Sequence, residues 1–223
     1  YGILELINFA HGEVYMVGGF LGLMAVGFFN FSEMGPLMSA LCLVVVFIFS
    51  MAGSALLGVL IERLAYRPLR HAPRLAPLIT AVGVSIMLQN AVMLIAGSES
   101  KPFPMVFPQG GISFGQSRIS YLQMFIILTS IALMAILTFF INRTRLGTAM
   151  KAVSQERKTS YLMGINVDGI ISLTFLIGSS LGAAAGIMVG MYYQRIHFMM
   201  GYLAGLKAFT AAVLGGIGSV PGA

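Results

Sequence analysis

The sequence predicts an all-α polytopic membrane protein, a helical bundle of about six spans with broken helices near both ends. Three observations predict it. Of 223 residues, 58% are hydrophobic and 9% charged, and a mean hydropathy of +0.92 leaves too little polar surface to clothe a soluble globule. The apolar residues gather into runs near the roughly 20 residues that a helix needs to cross a bilayer. Those runs are continuous and rich in Leu, Met and Ala, where a membrane barrel would alternate polar and apolar residues.

Six spans follow in order, at residues 14–31, 37–61, 77–96, 121–141, 170–193 and, least sharply, 203–217. The second is closed by Glu62 and Arg63, and the third leads into the Pro- and Gly-bearing stretch 97–120. The fourth ends at the basic segment "RTRLGTAMKAVSQERKTSYLMGIN", and the fifth carries Gly178, Gly182, Gly186 and Gly190 at intervals of four. Such spacing lays a flat ridge along one helix face, the usual means of close helix packing in lipid. The first and last spans are interrupted. "INFAHGEVYMVGG" puts Asn8, His11, Gly12 and Glu13 at the mouth of the first, and "AAVLGGIGSVPGA" breaks the last with Gly215, Gly216 and Gly218. Transporters place broken segments of this kind near the bilayer midplane, so these residues, with Asn90 of the third span, are candidates for a solute path. An interfacial turn at the first segment and an ordinary helix end at the last account for the same pattern. Gln89, Thr80 and Ser85 are further intramembrane polar groups, suited to bonding a neighbouring helix.

Charge orients the bundle. Arg63, Arg67, Arg70 and Arg74 follow the second span, and Arg143, Arg145, Lys151, Arg157 and Lys158 follow the fourth, while the other loops hold Lys101, Arg118 and Arg195. This asymmetry places both basic loops in the cytoplasm and makes 97–120 external. The pI near 9.7 therefore reports topology, not nucleic-acid binding. The single Cys42 excludes an internal disulfide and forms no zinc spacing. No phosphate loop, H-E-x-x-H or G-x-S-x-G occurs, so the chain is expected to perform no chemistry and to hold no cofactor or metal of its own. The carboxylates lie almost wholly outside the predicted spans, which weakens an ion-coupled secondary transporter as the alternative.

The basic segment holds more than a topology signal. Residues 147–153 and about 155–163 read as two short helices before Gly164, a natural stop, and two short helices in a cytoplasmic loop make a docking surface.

The stretches "INFAHGE", "ERLAYRPLRHAPRLAPLITAVGVSIMLQN", "GTAMKAVSQ", "LMGINVDGIISLTFLIGSSLGAAAG" and "KAFTAAVLGGIGSVPGA" resemble the permease subunit of bacterial branched-chain amino acid ABC importers, essentially from end to end. The resemblance implies one permease domain over 1–223, incomplete at both ends, with a further span before Tyr1 and more after Ala223. It implies a cytoplasmic coupling segment within 142–169, carried by Gly147, Ala149, Lys151, Ala152, Arg157, Lys158 and Gly164. The implied partners are two ATP-binding subunits that hold ATP and Mg, a second related permease, and a periplasmic binding protein delivering leucine, isoleucine or valine at the inner membrane. Where such permeases tend to show Glu-Ala-Ala ahead of a Gly, this chain has Lys158, Thr159 and Ser160 ahead of Gly164. A permease for urea or short-chain amides would look similar at these motifs.

Overall fold

A computed structural model describes residues 10–29, 31, 34–70, 72–73, 75–107, 110–114 and 117–216. Asn8 and Gly218 of the candidate solute path, and His71 and Arg74 of the first basic loop, lie outside the described residues. Eight α-helices appear among them: α1 His11–Val26, α2 Pro36–Ile61, α3 Leu75–Ala96, α4 Tyr121–Arg143, α5 Arg145–Gln155, α6 Arg157–Leu162, α7 Val167–Tyr193 and α8 Met200–Leu214. Four segments are long and apolar enough to cross a membrane, namely α2 with its extension to Leu69, α3, α4 and α7. At 16 and 15 residues, α1 and α8 reach only about 22–24 Å, short of a hydrocarbon core of about 30 Å. Each of the six predicted spans corresponds to one of these helices, and the first and last are shifted at both ends. The first helix begins three residues early, so it contains Glu13, and it ends at Val26 rather than Phe31. The last starts at Met200 and stops at Leu214, where Gly215 caps it and Gly216 turns at φ +91°.

The bundle is built around α1. It runs parallel to α7 and antiparallel to α2: a Cβ on Gly182 would lie 3.6 Å from the His11 ring, one on Gly22 would strike Ile187, and the Ser50 hydroxyl donates to the Gly18 carbonyl at 2.6 Å. The glycine ridge of α7 is what admits α1. A Cβ on Gly186 would overlap the Tyr15 carbonyl, and Gly18 of α1 lies equally close to Ala183. Backbones that approach this closely keep helix association strong in lipid, where apolar burial adds little. Gly190 instead lies under the ring of Phe103, at 3.0 Å from its would-be Cβ.

On the side away from the basic loops, β1 Lys101–Pro102 pairs antiparallel with β4 Arg195–Ile196, and β2 Gly111–Phe114 pairs with β3 Ser117–Ser120. The extended external connection predicted for 97–120 thus contains a hairpin and a tie to the end of α7. Ser120 then opens α4 with a reciprocal cap: its hydroxyl accepts from the Gln123 amide and its own amide donates to the Gln123 side chain. The main apolar core fills the outer half of the bundle around Met16, Phe20, Val26, Val46, Phe103, Ile187 and Ile196.

Candidate functional site

The residues that matter collect at two depths. The deeper site is the start of α1. The His11 ring faces Gly178 and Gly182, which stand at the centre of the 27-residue α7, so α1 begins near mid-membrane. Glu13, one turn into the helix, is 1% exposed. Its Oε1 accepts hydrogen bonds from Gln89 Nε2 at 2.7 Å and Ser85 Oγ at 3.1 Å, both from the middle of α3. Its Oε2 is buried and has no hydrogen-bond partner among the described residues. That oxygen faces α8, where a Cβ on Gly201 would sit 2.6 Å from it, and Gly12 meets Gly201 and Gly205 backbone to backbone.

The expectation that the carboxylates stay outside the spans therefore fails at Glu13. The polar residue lay just ahead of the apolar run, and hydropathy alone placed the helix start too late. The first interrupted segment meets α8, but not through the second one: the His11–Glu13 turn of α1 packs on the first turns of α8. Gly215 and Gly216 lie at the other end of α8 and form no part of that crossing. Asn90 is exposed and bonds back to the Ile86 carbonyl of its own helix at 2.8 Å, leaving Ser85 and Gln89 as the α3 groups that reach α1.

The second site lies on the basic side of the bundle. Thr144 ends α4 and caps α5 by accepting from the Gly147 amide at 3.0 Å. Gly147 is buried hard against the Ile141 backbone, so it makes the tight reversal between α4 and α5. α5 is amphipathic. Met150 and Val153 bury against Ile170 and Ile171 at the start of α7, with Ala149 packed alongside. Lys151 faces outward and donates to Asn142 Oδ1 at 2.6 Å, and Ala152 is half-buried. Glu156 caps α6, on which Lys158 is exposed and Arg157 half-buried. Gly164, at φ +80°, takes the left-handed conformation that reverses the chain after α6. Asn166 then caps α7. The elbow leaves Tyr161, Leu162 and Met163 at 74%, 84% and 76% exposure.

Sequence reasoning missed how this elbow is tied to the bundle. After α2 the chain makes a π turn over Glu62–Tyr66 and a 3₁₀ turn over Arg67–Leu69. Glu62 is fully buried; Arg70 donates to its Oε1, and Ser172 of α7 donates to its Oε2 at 2.6 Å. Arg70 also pairs with Asp168, in the first turn of α7, and Arg67 reaches the same carboxylate at 2.8 Å. Two arginines counted only as topology signals thus hold α2 to the exit of the elbow.

A bundle of apolar helices with one carboxylate enclosed at mid-depth and an exposed helical elbow on the basic side is the construction of a membrane transport subunit. The family described as "Branched-chain amino acid transport system / permease component" matches residues 1–223, and the chain belongs to it. It is 48% identical to the high-affinity branched-chain amino acid transport system permease protein BraD of Pseudomonas aeruginosa, over 100% of this chain and 73% of the relative. To the permease protein LivH of Escherichia coli K12 it is 42% identical, over 100% of this chain and 73% of the relative. A probable LivH of Methanocaldococcus jannaschii is 26% identical over 97% of this chain and 66% of that protein. No solved structure matches the chain. The chain is a multi-pass membrane permease of an ABC transport system, and it is not itself an enzyme.

Proposed function

We propose that this chain imports branched-chain amino acids across the bacterial inner membrane by alternating access. It works with two ATP-binding subunits that carry ATP and Mg, a second related permease, and a periplasmic binding protein. Membership of the family, and relatives named for branched-chain amino acid transport, support the substrate class. Residues 142–169 serve as the coupling segment within the single permease domain. The observation that carries this is the apolar tip Tyr161–Leu162–Met163, held out from the bundle on a rigid α5 and fastened beneath to α2 and α7. Three adjacent exposed apolar side chains, flanked by Lys158, suit an apolar groove on a partner subunit.

Leu162→Asp tests the coupling segment, because so exposed a side chain contributes little to folding. Expected are normal amounts of permease in the membrane, loss of the ATP-binding subunits on gentle purification, and at least a tenfold fall in leucine uptake. Gly164→Arg and Ala152→Arg should act in the same direction. Wild-type uptake by Leu162→Asp would remove the elbow from the coupling path.

A further inference from the structure

We propose that Glu13 Oε2 accepts the α-ammonium group of the amino acid as it passes the middle of the membrane, an inference that rests on the branched-chain amino acid reading above. Several independent features lead there. Glu13 is enclosed, and no basic residue among the described ones makes a salt bridge with it. One of its oxygens is held by two neutral donors, which fix the carboxyl group in place, and the other has no partner among the described residues. An oxygen in that state is costly in an apolar setting unless a donor, best a cationic one, reaches it in some step of the working cycle.

The surroundings suit such a visitor. What faces Oε2 is the Gly12–Gly201 crossing, where a single added methyl on Gly201 would cover the oxygen at 2.6 Å. Glycine on both helices puts backbone rather than side chains against this enclosed oxygen, and an ammonium reaches it where that crossing opens. Glu13 also sits in the first turn of α1, where the helix dipole favours negative charge. The depth is set by three helices: Ser85 and Gln89 lie at the middle of α3, Gly182 at the middle of α7, and α1 begins there.

An ammonium supplies both things Oε2 lacks, a hydrogen-bond donor and a positive charge. A neutral solute such as urea or a short amide supplies only the first. Glu13 therefore favours zwitterions over neutral amides at a point in the path beyond whatever selection occurs outside the membrane.

The test uses the full-length permease assembled with its partner subunits in proteoliposomes, with radiolabelled leucine and the binding protein outside and ATP at the nucleotide-binding subunits. Rates are taken per assembled complex. Glu13→Gln keeps the shape and an acceptor for Gln89 and Ser85 but removes the charge. It should lower the maximal rate of leucine uptake at least tenfold while leaving the half-saturating leucine concentration unchanged. Glu13→Asp keeps the charge and should stay within threefold of wild type. Wild-type uptake by the Gln variant, or an Asp variant as slow as the Gln variant, overturns the inference while leaving the permease reading intact. Should the Gln variant not assemble, the Asp variant alone decides: uptake within threefold of wild type supports the ammonium site, and a tenfold loss overturns it. Absence of leucine uptake by the wild-type transporter, with uptake of a neutral amide in its place, would overturn the substrate reading and this inference with it.

Discussion

Glu62 and Glu13 are both enclosed in the bundle, at 0% and 1% exposure, and each accepts from a serine hydroxyl, yet among the described residues only Glu62 has a cation. Glu62 has a cation on one oxygen and a hydroxyl on the other, and its cation is shared with Asp168 of α7. Glu13 has two neutral donors on one oxygen and none on the other. A buried charge with both oxygens engaged and a counter-ion in place is a fixture of the fold. One held at a single oxygen leaves the other without a donor among the described residues, as the proposed ammonium site requires. The comparison separates a clamp at the basic edge of the bundle from a site at mid-depth.

The most forceful way to break it is to remove the cation. Arg70→Met strands Glu62 in the bundle without its counter-ion, and breaking a buried pair from one side costs about 3–5 kcal/mol. The expected result is a large drop in the thermal unfolding midpoint of the purified complex. The double variant Arg70→Met with Glu62→Leu should recover most of it, because both charges are then gone. If the single variant melts like wild type, Glu62 is not held as a charge and the clamp does not exist.

Applying one substitution at both sites sharpens the contrast. Glu62→Gln discards a charge-assisted bond to Arg70 and leaves that arginine facing an amide, a loss of about 1.5–3 kcal/mol. Glu13→Gln keeps acceptors for Gln89 and Ser85 and removes a charge that has no counter-ion, so stability should change by less than about 1 kcal/mol or rise. Thermal melts of the two variants side by side give the answer, and equal losses would erase the distinction between the sites.

Much of the architecture was legible in hydropathy, and the reasons for the exceptions are physical. Long apolar runs gave α2, α3, α4 and α7, because in lipid the backbone must bond to itself and a run of sufficient length has no alternative to a helix. The four-residue glycine spacing marked the α7 face that receives α1, although Gly190 packs on the external loop instead. The elbow was visible as two short helix candidates, 147–153 and about 155–163, ahead of Gly164. The Glu62–Arg70–Asp168 cluster was not, since Glu62 and Ser172 stand 110 positions apart and one sequence carries no sign that they meet. Glu13 could have been found from the other side: Ser85 and Gln89 are four apart on α3 and share a face, so two donors at mid-membrane depth called for a common acceptor.

The smallest effect belongs to the outer half of the clamp. Arg67 and Asp168 are 53% and 50% exposed, so water and salt screen most of their attraction, and Arg67→Gln should cost well under about 1 kcal/mol. That loss should shrink further in high salt, whereas the loss in Arg70→Met should not, since Arg70 is only 12% exposed and Glu62 not at all. Melting both variants at low and high ionic strength therefore resolves the clamp into a screened rim and an enclosed centre. A salt-independent loss in Arg67→Gln matching that of Arg70→Met would mean the two arginines act as one unit. The tie between α2 and the exit of the elbow would then run through Asp168 rather than Glu62, because Asp168 is the carboxylate that both arginines reach.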